Sequence, residues 1–229
     1  MAGLADEGSV FGPPRRWPES DLIGMTEEFG PELAVQAYRS GVFPMPHHGF
    51  RGRQLMGWYS PLDRGILPLD GLKVSRSLRK MIKRYRITVD TAFDDVLRGC
   101  ADRSRPGGWI DRRIAEVYGV LHEAGVVHSV EAWTEDGRLA GGLYGVNIAG
   151  LFAGESMFHH PTIGRDASKA ALVGLVDILR ADGEPRLLDV QWQTPHLATL
   201  GVIEVDRTDY LRRLSAALTL PLPHWPSAE

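Results

Sequence analysis

A mixed α/β fold of the α+β kind is predicted for this 229-residue chain from three observations. Stretches with helical period flank a run of strand-like ones. Two of those strands are joined through Glu135-Asp136-Gly137, and Asp-Gly is a strong hairpin signal. A further strand candidate follows the most regular apolar helix. At 43% hydrophobic and 24% charged, the composition is that of a globular protein with a sizeable core. The length suits one large domain, or one domain with a smaller appendage.

Each element can be justified in order. The first 20 or so residues, "MAGLADEGSVFGPPRRWPES", are rich in Gly and Pro without periodicity and read as an extended arm. "GPELAVQAYRSGVFPMP" places Leu33, Ala34, Ala37 and Tyr38 on one helical face, with Gly41 as stop and Pro44 just beyond. "MGWYSPLDRGILPLDGLKVS" holds short strand-like pieces broken by Pro and Gly. "SRSLRKMIKRY" is a helix opened by Ser75 as N-cap. In "IDRRIAEVYGVLHEAG", Asp111 is the cap, Ile114, Val117, Tyr118 and Leu121 recur at helical spacing, and Gly125 is the stop. "VVHSVEAWT" and "RLAGGLYGVN" form the hairpin, and "GLFAGESMF" follows through a tight connection at Asn147. "DASKAALVGLVDILRADG" is a helix with Leu172, Leu175, Val176 and Leu179 at i, i+3, i+4 and i+7. "RLLDVQWQT" and "GVIEV" are strands, and "TDYLRRLSAAL" is a last helix.

Several classes of protein are disfavoured at once. No apolar stretch approaches the roughly 18–20 residues that span a bilayer. The N-terminus lacks the basic and apolar regions of a secretory signal. One cysteine, Cys100, excludes an internal disulfide framework and fits a reducing cytoplasm. The net charge of −3 gives no global attraction to nucleic acid, so any such attraction must be local.

Four local features could carry chemistry. On the helix from Ser75, Arg76, Arg79, Lys80, Lys83 and Arg84 share one face, opposite Leu78, Met81, Ile82 and Tyr85. That patch suits a polyphosphate, or is a solvated face. In "LLDVQWQ", strand alternation points Asp189 and Gln191 the same way, roughly 7 Å apart at Cα, with Val190 and Trp192 on the other face. A carboxylate beside an amide can hold an amine or steady an oxyanion, or can simply tie a loop to the sheet. In "HHPTIGRDASKAAL", Arg165, Lys169 and two histidines gather at a helix start, which already attracts anions. Last, Trp58, Tyr59, Trp109, Leu143, Tyr144, Phe152, Met157 and Phe158 lie near strand ends or turns. Glu155 sits among them in "LFAGESMF", and an unpaired buried carboxylate is costly. The combination reads as a pocket for an apolar group that carries an amine.

Taken together, "YRSGVFPMP", "WYSPLDRGIL", "SRSLRK", "GWI", "HSVEAW", "LAGGLYGVNIAGLFAGESMF", "DASKAAL" and "LLDVQWQTPHLATLG" closely resemble the leucyl/phenylalanyl-tRNA–protein transferase family. The resemblance runs in order from about residue 32 to about 213. It implies a small N-terminal domain (1–72) joined to an acetyltransferase-like (GNAT) domain (73–229) with a largely antiparallel central sheet flanked by helices. It implies an enzyme that takes leucine or phenylalanine, and by extension methionine, from aminoacyl-tRNA and joins it to an N-terminal Arg or Lys. The product is thereby marked for bacterial N-degron proteolysis. A cytoplasmic monomer without cofactor or metal is expected.

By the same resemblance, Asp189 and Gln191 stand at the reaction centre and Glu155 in the site that receives the aminoacyl end. Tyr59 and Trp109 help to hold the terminal adenosine, Leu143 and Phe152 line the side-chain pocket, and Arg76, Arg79, Lys80 and Lys83 face the acceptor stem. Asp189 is expected to polarise or orient Gln191, whose amide oxygen takes a hydrogen bond from the attacking amine. Three departures stand out. Trp58-Tyr59 occupies the place of two tryptophans, "FPMP" replaces "FPW", and the segment holding His159, His160 and Pro161 is longer than usual.

Rival readings fit less well. An acetyl-CoA acetyltransferase needs an Arg/Gln-x-x-Gly-x-Gly/Ala loop, whereas "RLAGGL" ends on Leu143 and runs into a strand. An RNA-binding module explains the basic helix but not Glu155 or the Asp189/Gln191 pair. A metal hydrolase using His159, His160 and Glu155 is opposed by adjacent strand residues pointing apart. Cys100 as nucleophile has no local support. A related family that moves leucine onto N-terminal Asp or Glu has motifs that match less closely.

Overall fold

Two sheets organise the chain, and β4 begins the second only four residues after the first ends. The computed structural model describes residues 9–49, 53–102, 104 and 109–226. The smaller sheet holds β1 (Leu22–Thr26), β2 (Phe43–His48) and β3 (Gln54–Tyr59) in the antiparallel order β1-β3-β2. Pro44 and Pro46 lie in β2, which is tolerated because β2 is an edge strand and its outward N–H groups have no ladder partner. Helix α1 (Pro31–Arg39) starts with proline at its first position and is followed by Gly41 at φ +80°, as the sequence predicts. It buries Ala34, Ala37 and Tyr38.

The larger sheet has seven strands in the order β10-β4-β9-β8-β7-β6-β5. These are β4 (Asp63–Ile66), β5 (Arg86–Val89), β6 (Val127–Trp133), β7 (Leu139–Ile148), β8 (Leu151–His159), β9 (Leu187–Gln191) and β10 (Ile203–Asp206). Every neighbouring pair is antiparallel except β8 and β9, which are parallel across the crossover helix α5 (Ala167–Arg180). The mixed α/β class, the small N-terminal unit and the largely antiparallel sheet are as expected. The helices α2 (Arg76–Ile82), α3 (Phe93–Ala101), α4 (Arg112–Glu123), α6 (Pro195–Thr199) and α7 (Arg207–Ala217) complete the fold. Ser75 caps α2 by accepting from the Leu78 N–H, and Asp111 caps α4 by accepting from that of Ile114. Each such cap contributes about 1 kcal/mol.

Two expectations are corrected, on the N-terminal arm and on the turn before β8. Of the supposed extended arm, residues 1–8 lie outside the described residues. Pro14–Arg16 form a short 3₁₀ turn, and Arg207 donates to the carbonyls of Pro18 and Ser20. The connection before β8 turns at Ala149 (φ +53°) and Gly150, while Asn147 lies inside β7. The Asn147 amide staples that turn by donating to the carbonyls of Ala149 and Leu151. The segment 1–72 includes β4, which is already part of the larger sheet. One apolar cluster joins Ala34, Trp58 and Met56 to Tyr118, Val146 and Leu151, so the two sheets share a core.

Candidate active site

Strands β8 and β9 pair only as far as Ala153 and Asp189. Beyond that point they separate, and a cavity of about 140 Å³ opens between Gly154–Met157 on one side and Val190–Gln191 on the other. Leu143, Leu172, Leu175 and Leu197 close it with apolar surface.

Glu155 faces this space because of a bulge. Tyr144 pairs with Ser156 and Gly145 with Gly154, so Glu155 is the extra residue, re-aimed out of the ordinary alternation. Its Oε2 accepts from the Tyr118 hydroxyl at 3.2 Å and its Oε1 from the Gln191 amide at 3.3 Å. The hydroxyls of Tyr118 and Tyr38 are 2.5 Å apart. Part of the Glu155 surface faces the cavity, yet protein encloses the carboxyl on its other sides, and that burial pushes its pKa up to about 8. Hydrogen bonds from Tyr38 and Tyr118 and the charge of Arg64 oppose the rise, while the charge of Asp189 adds to it. Burial also raises Tyr38 and Tyr118, with the nearby Glu155 charge adding to both, so both phenols stay protonated.

Asp189 has no exposed surface. Its Oδ1 accepts from Arg64 Nε at 2.8 Å and from the Gln191 backbone N–H at 2.9 Å. Its Oδ2 accepts from Arg64 Nη2 at 2.5 Å and from the Tyr210 hydroxyl at 2.8 Å. Burial disfavours the Arg64 charge, but Asp189 outweighs it and holds the guanidinium pKa above its ordinary value. Removing one member of a buried pair costs on the order of 3–5 kcal/mol, because the other is left uncompensated. Gln191 adopts φ +61°, so the strand alternation expected for Asp189, Val190, Gln191 and Trp192 breaks at this residue. Val190 and Gln191 both line the cavity, while Trp192 packs on Phe43 and Tyr59. Gly65 makes the turn possible, since a Cβ there would meet the backbone nitrogen of Gln193 at 2.8 Å.

The structure thus brings Glu155, Gln191 and Leu143 to one cavity, with Asp189 immediately behind Gln191. Phe152, expected in the side-chain pocket, does not line it and packs instead against Trp225, ring centroids 5.8 Å apart. Tyr59 is partly buried, stacked on His47 and Phe43. Trp109 is partly buried at the edge of the shared core. Arg76, Arg79, Lys80 and Lys83 all lie exposed along α2 and its C-terminal cap. Lys169, expected as a cation at the start of α5 awaiting an anion, is paired with Asp166 at 2.7 Å. His159 and His160 are exposed, and among the described residues no group of three His, Cys, Asp or Glu is placed to hold a metal ion. Sequence reasoning missed Arg64, Tyr38, Tyr118 and Tyr210. No local signal marked them, since Arg64 sits in a strand that reads Asp63-Arg64-Gly65-Ile66 and the three tyrosines read as core.

An apolar cavity with a buried carboxyl and an oriented amide at its wall suits an acyltransferase that aligns an apolar acyl group with an attacking amine. The comparisons with known proteins narrow that class. The family model "Leucyl/phenylalanyl-tRNA protein transferase" matches residues 66–215, and the model of its N-terminal domain matches 27–62. A relative named leucyl/phenylalanyl-tRNA–protein transferase from Herpetosiphon aurantiacus is 47% identical over 197 residues, covering 85% of this chain and 97% of its own. One of the same name from Salinibacter ruber is 44% identical over 207 residues, covering 90% and 87%. Among solved structures, a tandem GNAT protein from the clavulanic acid biosynthesis pathway superposes with a TM-score of 0.39 at 16% identity, covering 78% of this chain and 57% of that one. The chain belongs to the leucyl/phenylalanyl-tRNA–protein transferase family, and it is a transferase.

Proposed function

We propose that this protein moves leucine, and also phenylalanine or methionine, from aminoacyl-tRNA to the N-terminal Arg or Lys of acceptor proteins. It acts as a cytoplasmic monomer and marks its products for N-degron proteolysis. The observation that carries the reading is the cavity with Glu155 and Gln191 at its wall. An apolar void of about 150 Å³ is enough to take benzene, so one of about 140 Å³ matches a leucine or phenylalanine side chain. The choice of Arg or Lys as acceptor rests on the family resemblance.

The reaction is aminolysis of an ester. The acceptor's α-amine forms the new C–N bond, the ester C–O bond breaks, and the tRNA leaves through its ribose oxygen, which takes up a proton. The ester is already activated, so positioning accounts for most of the demand. Because Gln191 Nε2 donates to Glu155, its amide oxygen is free to accept from the attacking amine. An amide is a weak base, so the proton passes on through a ribose hydroxyl or water. Glu155 offers a counter-charge to an ammonium, and such a guest draws its raised pKa back down. Tyr59 and Trp109 supply ring surface for the terminal adenosine, and the exposed cations of α2 supply phosphate contacts.

Incubation with leucyl-tRNA and an Arg-starting peptide should add one leucine to the peptide, read by mass. Leu143→Trp should overfill the cavity and stop leucine transfer while leaving the protein folded, since overpacking typically costs about 1–3 kcal/mol. No transfer by the unmodified protein, or undiminished transfer by this variant, would sink the reading.

A further inference from the structure

We propose that Arg64 is a positioning residue for the transfer, clamping Asp189 so that the pair fixes the left-handed backbone of Gln191. Asp189 serves the reaction as part of this clamp and not as a free negative charge. The inference rests on the aminoacyl transfer proposed above.

Four observations carry it. Each Asp189 oxygen already accepts two hydrogen bonds, and the residue is fully buried, so no substrate group can reach it. The Arg64 guanidinium lies against it in a two-point contact, so the pair presents little net charge to the cavity. Gln191 holds φ +61°, which a residue with a Cβ avoids unless its surroundings impose it. Here the imposing contacts are the Asp189 oxygen on the Gln191 N–H and the close approach allowed by Gly65. Finally, Arg64 is itself held from several elements. It donates to the Gly41 carbonyl at 3.2 Å, and its guanidinium carbon sits 4.3 Å from the Tyr210 ring centroid and 4.8 Å from that of Phe43. The small sheet and α7 therefore bear on Gln191 through one side chain.

The test is a charge-cancelling cycle read by single-turnover leucine transfer, direct aminoacyl-tRNA binding and thermal unfolding. Asp189→Asn and Arg64→Met should each slow transfer on the order of 10²-fold, because each leaves one buried charge without its partner. The double variant removes both charges and keeps an amide oxygen that can accept from the Gln191 N–H. It should transfer at least about tenfold faster than either single variant. Affinity for aminoacyl-tRNA should stay within about threefold throughout, since the clamp acts on turnover. A double variant as slow as Asp189→Asn would show that the reaction uses the Asp189 charge itself, and the proposal would be wrong. Should a variant not fold, Arg64→Lys decides the matter. It retains the charge but loses the two-point contact, so it should stay folded and be slowed, and a wild-type rate would equally overturn the clamp. Absence of transfer by the unmodified protein would be a failure of the proposed function, distinct from either result.

Discussion

Glu155 illustrates how a single position can be half legible. Its place in an apolar run announced a carboxyl in need of a partner, but the partners come from α1, α4 and β9, far away in sequence. The bulge that aims it is equally silent, since it depends on the pairing of β7 with β8. Its raised pKa has a measurable consequence. The folded state holds this proton up to about pH 8, whereas the unfolded chain releases it near the ordinary value of 4.5. The contribution of Glu155 to stability is therefore fully present below the unfolded pKa and is lost as pH rises toward about 8. Glu155→Gln keeps the size and removes the titration. Its melting temperature should exceed that of the unmodified protein by an amount that grows from pH 5 to pH 8 and then levels. A difference independent of pH would mean that Glu155 is ionised in the folded protein throughout.

Among the elements, those with caps and a clear period were readable. α4 and α5 form where Asp111, the apolar spacing and the following glycines place them. β1, β2, β5 and α3 were not anticipated. β2 carries two prolines, normally a sign against a strand, and only its place at the sheet edge makes them tolerable. β5 has four residues, and α3 has Ala92 at its N-cap with no side-chain cap, so neither announces itself locally. α2 was read correctly as an amphipathic helix with a basic outer face, which makes it the element to test. Reversing Arg76, Lys80 and Lys83 to Glu should weaken binding of full-length aminoacyl-tRNA strongly and flatten its salt dependence. Binding of a short aminoacyl-adenosine mimic should change little. Equal loss for both would mean that the substitutions disturb the site or the fold.

Across the whole molecule, the family resemblance suggested a small domain followed by a larger one, and the packing ties them together. Arg64 and β4 come from the first 72 residues yet complete the larger sheet and its site. Trp192 after β9 donates to Asp21, and Arg207 at the start of α7 donates to the Ser60 carbonyl. Such long-range ties are invisible to local pattern. They predict that residues 73–229 expressed alone should not fold cooperatively, because β9 would lose its neighbour β4 and Asp189 its guanidinium. Circular dichroism and thermal unfolding would check this, and a sharp two-state transition of the fragment would contradict it.

The prolines of β2 have one more effect, on solubility. Pro44 and Pro46 are alternate residues along an outer strand, so two of the amide hydrogens that would point outward do not exist. A stray strand approaching from another polypeptide would find acceptors there but few donors. The outer edge of the small sheet, where Pro44 is buried and Pro46 half-buried, is thus a poor template for growth by strand addition.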